Sequence, residues 1–266
     1  MGVVNVTPDS FSDGGAFASP DAAIAHGMRL VDSGADIVDV GGESTRPGAD
    51  PVDEAEERRR IMPVVAALVA EGAVVSIDTS KPEVAAAAVG AGAEIINDVR
   101  GLREPGMAEV CVESAAGVVI MHMQGTPRTM QDDTQYNDVV DEVHNELIAS
   151  ASAATERGVD VDRICLDPGI GFGKTSEHNL ALLGNLEGLT QSGYPILVGP
   201  SRKRFLGDIL ERTGRPAAPP ERDVATAAAV ATSIGAGAFC VRVHDVVSAL
   251  DAARTADAIV RASRKG

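Results

Sequence analysis

Short β-branched apolar runs alternate along the chain with longer runs rich in alanine and charge. The apolar runs cover residues 3–6, 37–40, 74–77, 95–96 with their flanks, 118–121, 164–166, 196–198 and 239–243, eight in all. Continuous apolar runs of this length suit strands buried on both faces. Between them the pattern predicts helices over 22–33, 51–71, 82–89, 105–114, 137–157 and 177–189. Further helices are predicted to start at Lys203, Arg222 and Val246. Proline stands at several of these starts (Pro20, Pro51, Pro82, Pro105) and glycine just past several ends (Gly34, Gly72, Gly90), the expected asymmetry of helix termini. Three similar phrases, Ser33-Gly34-Ala35-Asp36, Ala91-Gly92-Ala93-Glu94 and Gly235-Ala236-Gly237-Ala238, read as helix-to-strand turns.

Strict β-α alternation gives a parallel sheet with helical crossovers. Eight such units in 266 residues favour an α/β fold of the closed (β/α)8 TIM-barrel type over an open doubly wound sheet. An open sheet would carry a glycine-rich turn after its first strand. Here that position holds Thr7-Pro8-Asp9-Ser10-Phe11-Ser12-Asp13-Gly14-Gly15. No linker divides the chain, so residues 1–266 read as one domain. The Pro-rich stretch 214–220 reads as a surface loop.

Composition narrows the function. Aromatics make up 3% and Trp is absent, so the core must be Ala, Val, Ile and Leu. A net charge of −16 argues against nucleic acid or an anionic membrane as partner. The three cysteines, Cys111, Cys165 and Cys240, form no C-x-x-C pair and read as buried thiols in a reducing cytoplasm. The N-terminus lacks the basic start and long apolar run of a signal peptide. Residues 224–241 carry no charge over 18 positions, but Thr226, Thr232, Ser233 and the glycines at 235 and 237 make a poor membrane span. They read as a buried helix followed by a strand.

Barrel active sites lie at the C-terminal ends of the strands. Polar residues collect there: Asn5, Asp78, Asn97-Asp98, His122, Asp167, Ser201-Arg202-Lys203, and Arg242 with His244. Any one could be a turn former or helix cap, but capping gives no reason to choose Lys, Arg and His. Gly171-Phe172-Gly173-Lys174-Thr175 mimics the end of a P-loop, yet Pro168 stands where the motif needs glycine. Gly199-Pro200-Ser201-Arg202-Lys203 lacks the final glycine of a nucleophile elbow. Arg202, Lys203, Arg204, Arg242 and His244 converge after strands 7 and 8, the usual phosphate region of this fold. Arg242 and His244, two apart, should face the same side. Asp78, Asn97 and Asp167 offer acceptors to a guanidine-like donor edge. A metal held by a His/Cys cluster is not expected; Mg²⁺ held mainly by substrate phosphates is.

Taken together these phrases resemble the dihydropteroate synthases. The matching segments are Asn5 to Gly15 as quoted, Gly41-Gly42-Glu43-Ser44-Thr45-Arg46-Pro47-Gly48, Ser76-Ile77-Asp78-Thr79, Ile96-Asn97-Asp98-Val99, Met121-His122, Asp167-Pro168-Gly169-Ile170-Gly171-Phe172, Ser201-Arg202-Lys203 and Arg242-Val243-His244. They span residues 5 to 244 in the family's order. The resemblance implies condensation of 6-hydroxymethyl-7,8-dihydropterin diphosphate with 4-aminobenzoate, releasing pyrophosphate. It implies that Asp78, Asn97 and Asp167 hold the pterin's donor edge, that Lys203 contacts its acceptors, and that Met121 and Phe172 pack nearby. It assigns the diphosphate to Asn5, Thr45, Arg242 and His244, with Asn5 acting through Mg²⁺. The 4-aminobenzoate pocket would comprise Phe11, Thr45, Arg46, Pro47, Lys203 and Arg204, with catalytic roles for Asp13, Arg46 and Lys203. A cytoplasmic homodimer built on the later helices is implied as well.

Two departures from the family pattern stand out. The chain begins almost at strand 1, where members usually carry several more residues. Arg204 replaces a common serine. Two rivals share parts of the pattern: a corrinoid-type methyltransferase barrel, which should lack the first loop, the Ser-Arg-Lys turn and the Arg-Val-His strand, and a non-catalytic pterin-binding paralogue.

Overall fold

The computed structural model describes residues 1–7, 19–46, 48–132 and 134–263. The strands are β1 (Gly2–Asn5), β2 (Val38–Gly41), β3 (Val75–Asp78), β4 (Ile95–Asp98), β5 (Gly117–Met121), β6 (Ile164–Asp167), β7 (Leu197–Val198) and β8 (Cys240–Val241). The helices are α1 (Pro20–Asp32), α2 (Glu54–Ala70), α3 (Pro82–Gly90), α4 (Met107–Ser114), α5 (Val139–Glu156), α6 (Ser176–Gly184), α7 (Leu186–Thr190), α8 (Arg204–Arg212), α9 (Asp223–Gly235) and α10 (Val246–Ser263). All eight predicted strands are present.

β1 through β6 pair in chain order, every pair parallel, and β7 pairs with β8. Isolated parallel bridges join the two ladders at both seams, Leu166 to Ile196 and Gly2 to Val243. Backbone bonds support them: Leu166 N donates to Pro195 O at 2.9 Å and Val3 N to Val243 O at 3.1 Å. The eight strands therefore follow one another around a ring.

Side chains alternate across this ring with the two-residue period of a strand. One set, including Val4, Val38, Val40, Ile77, Ile96, Val118, Ile120, Leu166 and Val198, joins helix residues such as Ala23, Leu30, Ile61, Leu68 and Leu147 in the main apolar cluster. The other set starts as a separate inner layer of Met1, Ile37, Ile95, Val119, Cys165, Leu197 and Cys240. Two residues further along the same strands stand Val3, Asp39, Asn97, Met121, Asp167, Gly199 and Arg242. The apolar inner floor thus gives way to a polar layer at the C-terminal ends.

Local chemistry sets the helix ends. Asp53 caps α2, accepting from Glu56 N at 2.8 Å, so this helix starts later than the Pro51 expected from the pattern. Gly106, at φ 92°, delays α4 to Met107. The predicted helix over 177–189 is two helices: Asn185 leaves helical geometry (φ −119°, ψ 21°), and its amide donates to Ala181 O at 2.8 Å. The uncharged stretch 224–241 forms α9 and β8 as expected, but α9 is buried on one face only. Val224 is 76% exposed and Phe239 74%. Among the described residues no helix is long and apolar enough to cross a membrane.

Candidate active site

The polar layer is cross-linked from four strands. Arg242, beyond β8, donates through Nε to Asp39 Oδ2 at 2.6 Å and through Nη2 to Asp78 Oδ2 at 2.7 Å. Asn97 Nδ2 donates to the same Asp39 oxygen at 3.1 Å. Asp39, Asp78 and Asn97 are all buried, and Asp39 Oδ1 has no hydrogen-bond partner among the described residues. Burial pushes the Asp78 carboxyl up to about 7, outweighing the Arg242 guanidinium that pulls it down. Burial also opposes charge on Arg242, but the Asp39 and Asp78 carboxylates outweigh it and raise its pKa. Asp167 completes the layer. Burial raises it to about 6 against a hydrogen bond from Gly169 N at 2.7 Å and the charge of Lys203. Arg242, expected beside the diphosphate, thus sits among the carboxylates expected to hold the pterin.

The segment after β6 carries Phe172 on a tightly folded backbone. Gly169, at φ 66°, lies so close to β5 that an added Cβ would fall 1.9 Å from His122 O. Phe172 packs with Met121, Val99, Met123 and Met130 in a small buried cluster. Lys203 Nζ lies 3.8 Å from the centre of the Phe172 ring. Burial first, then the charge of Arg242, lowers Lys203 to about 8. Its ammonium donates no hydrogen bond to a described residue.

The P-loop mimic has a different role. Lys174 is buried, and its ammonium reaches His122 Nδ1 at 3.0 Å, Phe172 O at 3.0 Å and Gly169 O at 3.1 Å. It ties the β6 segment to the end of β5. His122, lowered to about 3 by burial and by Lys174, stays neutral and belongs to this tie.

After β7, Ser201 Oγ stands 2.9 Å from His244 Nδ1 and accepts from His244 N at 3.1 Å. Burial and the charges of Arg242, Arg202 and Lys203 push His244 down to about 3, so it is a neutral imidazole. Arg202 is paired with Asp223 through two bonds of 2.8 Å. The Arg204 side chain is 92% exposed, its nearest acid Asp208 at 3.9 Å. A cavity of about 780 Å³ is lined by Asn5, Thr45, Arg46, Phe172, Lys203, Arg204, Arg242 and His244, among others. Arg242 and His244 thus do face the same space. A second cavity, of about 560 Å³, reaches Asp78 and Thr79 and shares Ser44 and Thr45 with the first. Phe11, Asp13 and Pro47 lie outside the described residues.

Four contributors were invisible to strand-end reasoning. Asp39 sits in the middle of an apolar run, where a lone charge on a doubly buried strand was itself a signal. Lys174 was dismissed with the failed P-loop. Glu57 and Lys81 lie on helices or loops and form a buried ion pair that only tertiary contact creates.

A buried polar layer at the C-terminal mouth of a (β/α)8 ring, with a lysine over an aromatic ring, defines a barrel that binds a flat polar heterocycle. Residues 1–244 match the family described as pterin binding enzyme, and the chain belongs to that family. Its relatives are dihydropteroate synthases, which are transferases. The Mycobacterium leprae enzyme is 47% identical over 265 residues, covering 98% of this chain and 93% of the relative. The Xanthomonas albilineans dihydropteroate synthase solved with 4-aminobenzoic acid superposes with a TM-score of 0.90 at 47% identity, covering 97% of this chain and 92% of that one. The enzyme from the same organism in complex with 7,8-dihydropteroate gives a TM-score of 0.86 at 44% identity, covering 97% and 92%.

Proposed function

We propose that this chain condenses 6-hydroxymethyl-7,8-dihydropterin diphosphate with 4-aminobenzoate to give 7,8-dihydropteroate and pyrophosphate. The observation that carries the reading is the layer of buried Asp39, Asp78, Asn97 and Asp167 crossed by Arg242, with Lys203 held over Phe172. The Asp78 and Asp167 carboxyls, with pKa values raised by burial, match a donor edge that can supply both hydrogen bonds and a shared proton. Lys203 supplies a donor to the ring's acceptors, and Phe172 with Met121 supplies an apolar face.

In this reading the bond between the methylene carbon and the diphosphate oxygen breaks first, and the electron pair leaves with the diphosphate. Asn5, Thr45, Arg242 and His244 receive the leaving group. His244, being neutral, acts as a hydrogen-bond donor and not as a second positive charge. The dihydropterin delocalises the positive charge left on carbon, so no protein nucleophile is needed. The neutral arylamine nitrogen then forms the new bond and loses a proton to solvent. Thr45, Arg46, Lys203 and Arg204 orient the aminobenzoate, with Phe11, Asp13 and Pro47 assigned to the same step from the sequence. Orientation and exclusion of water provide the rate gain at this stage.

Mg²⁺ fits this site in one mode. Among the described residues no group of three or more His, Cys, Asp or Glu side chains could hold a metal ion. The half-buried Asn5 amide on the wall of the larger cavity suits a cation carried chiefly by phosphate oxygens and water. When bound, the ion would neutralise charge on the departing diphosphate.

The reading treats residues 1–266 as one catalytic domain, supported by an apolar cluster running from Val4 to Ala249. It also places the protein in the cytoplasm, consistent with three free thiols. A homodimer through the later helices is part of it. Val224 on α9 and Val247 and Ile259 on α10 are exposed, apolar and available to a partner surface. Sedimentation of a monomer at micromolar concentration would remove that element. The central test is formation of dihydropteroate and pyrophosphate from the two substrates. Product should require both substrates and disappear with chelator. Absence of dihydropteroate with Mg²⁺ present would overturn the assignment.

A further inference from the structure

The loop between β2 and α2 is tied down at both ends. At its start, Gly42 lies against α2, where an added Cβ would stand 2.7 Å from Ile61 Cγ2, and Gly42 O accepts from Arg60 Nη1 at 2.9 Å. The next residue, Glu43, accepts a hydrogen bond from the Lys81 ammonium. The same Glu43 oxygen accepts from Val52 N at 3.2 Å, at the loop's far end. Lys81 donates also to Glu57 of α2. Glu57 is 0% exposed, and its second oxygen has no hydrogen-bond partner among the described residues.

The electrostatics are asymmetric. A fully buried carboxylate needs a cation, and Lys81 supplies it to Glu57. That pair lies between α2 and the N-terminus of α3, three residues past Asp78. Glu43 is the outer partner, with a quarter of its side chain exposed, and it contributes little to folding by comparison. Its bonds instead close the loop from 43 to 52 and set where Ser44, Thr45 and Arg46 stand. Ser44 and Thr45 line both cavities.

We propose that Lys81, anchored by Glu57 and holding Glu43, is a positioning residue for the loop that presents Thr45 and Arg46 to the arylamine. It acts through the loop, by way of Glu43. This rests on the dihydropteroate synthase reading above. It makes a separable claim, that the ion cluster governs 4-aminobenzoate, which meets this loop through both Thr45 and Arg46, more than the pterin diphosphate, which meets it through Thr45 alone.

Glu43→Gln removes the charge at the loop while leaving the Lys81–Glu57 pair intact. The expected result is a rise of about tenfold in KM for 4-aminobenzoate, because a loop shifted by a fraction of an ångström loses orientation. The KM for the pterin diphosphate should rise less, by about twofold, because only Thr45 of this loop meets it, and the melting temperature should stay near the parent's. Glu43→Asp keeps the charge on a shorter arm and should give an intermediate rise of about threefold; it also serves as the test if Glu43→Gln does not fold. Unchanged 4-aminobenzoate constants in the folded variants, or equal rises for both substrates, would overturn the positioning role. A parent enzyme that makes no dihydropteroate would instead overturn the functional reading.

Discussion

Lys174 is buried and Lys203 half-buried, both touch Phe172, and both have pKa values pulled down by desolvation, Lys174 to about 7 and Lys203 to about 8. Their surroundings differ in one respect. Lys174 is surrounded by acceptors from its own chain: two carbonyls of its own segment and the ring nitrogen of His122. Lys203 meets an aromatic face at 3.8 Å and the more distant charges of Asp167 and Asp78. A buried ammonium with its hydrogen bonds made stabilises a loop. One with only a π face and remote charges retains donors for a ligand's oxygen or nitrogen. The same residue type beside the same Phe172 is thus structural in one place and suited to chemistry in the other.

The sharpest way to break this contrast is to remove each lysine. Lys203→Ala should lower pyrophosphate release by about a thousandfold or more, through loss of a charged donor in a dry site, while the melting temperature stays near the parent's. Substantial turnover in this variant would end the contrast at once. Lys174→Met should do the reverse in kind. It leaves the carbonyls of Gly169 and Phe172 without their donor, at a cost of about 3 kcal/mol in denaturant unfolding. If it proves as stable as the parent, the tie from β6 to β5 is not needed to hold the fold.

A smaller effect concerns pH. Lys203 is a charged donor only while protonated, and its pKa is lowered to about 8. Activity should therefore fall as pH rises through about 8. Lys203→Arg, if it turns over at all, should not show that fall, since guanidinium keeps its proton. An unchanged alkaline limb in Lys203→Arg would assign the titration to another group. The smallest expected effect is at the rim. Arg204, 92% exposed, faces solvent that screens its charge. Arg204→Ala should raise KM for 4-aminobenzoate by about two- to fivefold, within the range of an exposed ion pair. A hundredfold rise would show that Arg204 is enclosed when substrate is bound.

Much of the architecture was legible before any coordinates. Eight apolar runs separated by alanine-rich segments led to a parallel ring because a strand buried on both faces must be apolar on both, and this is a local property of composition. Asp78, Asn97, Asp167, Lys203, Arg242 and His244 were legible because the fold puts function at strand ends. Asp39 was not, because its polar layer depends on which strand residues face inward together, and a single charge in an apolar run does not say what it meets across a barrel. Likewise the break at Asn185 depends on a side-chain amide bonding the preceding turn, which hydrophobic spacing does not register.

Periodicity and motif order were enough for the class of fold and for the family. They rest on neighbours in sequence, where spacing and residue type carry the physics. Which charges are paired was settled only in three dimensions: Arg242 between Asp39 and Asp78, Arg202 on Asp223, and Lys81 between Glu43 and Glu57. Lys174 and Lys203 look alike in the chain for the same reason. Coulomb energy and desolvation depend on distance through space and on burial, and both come into being only when strands and loops far apart in sequence close around one mouth.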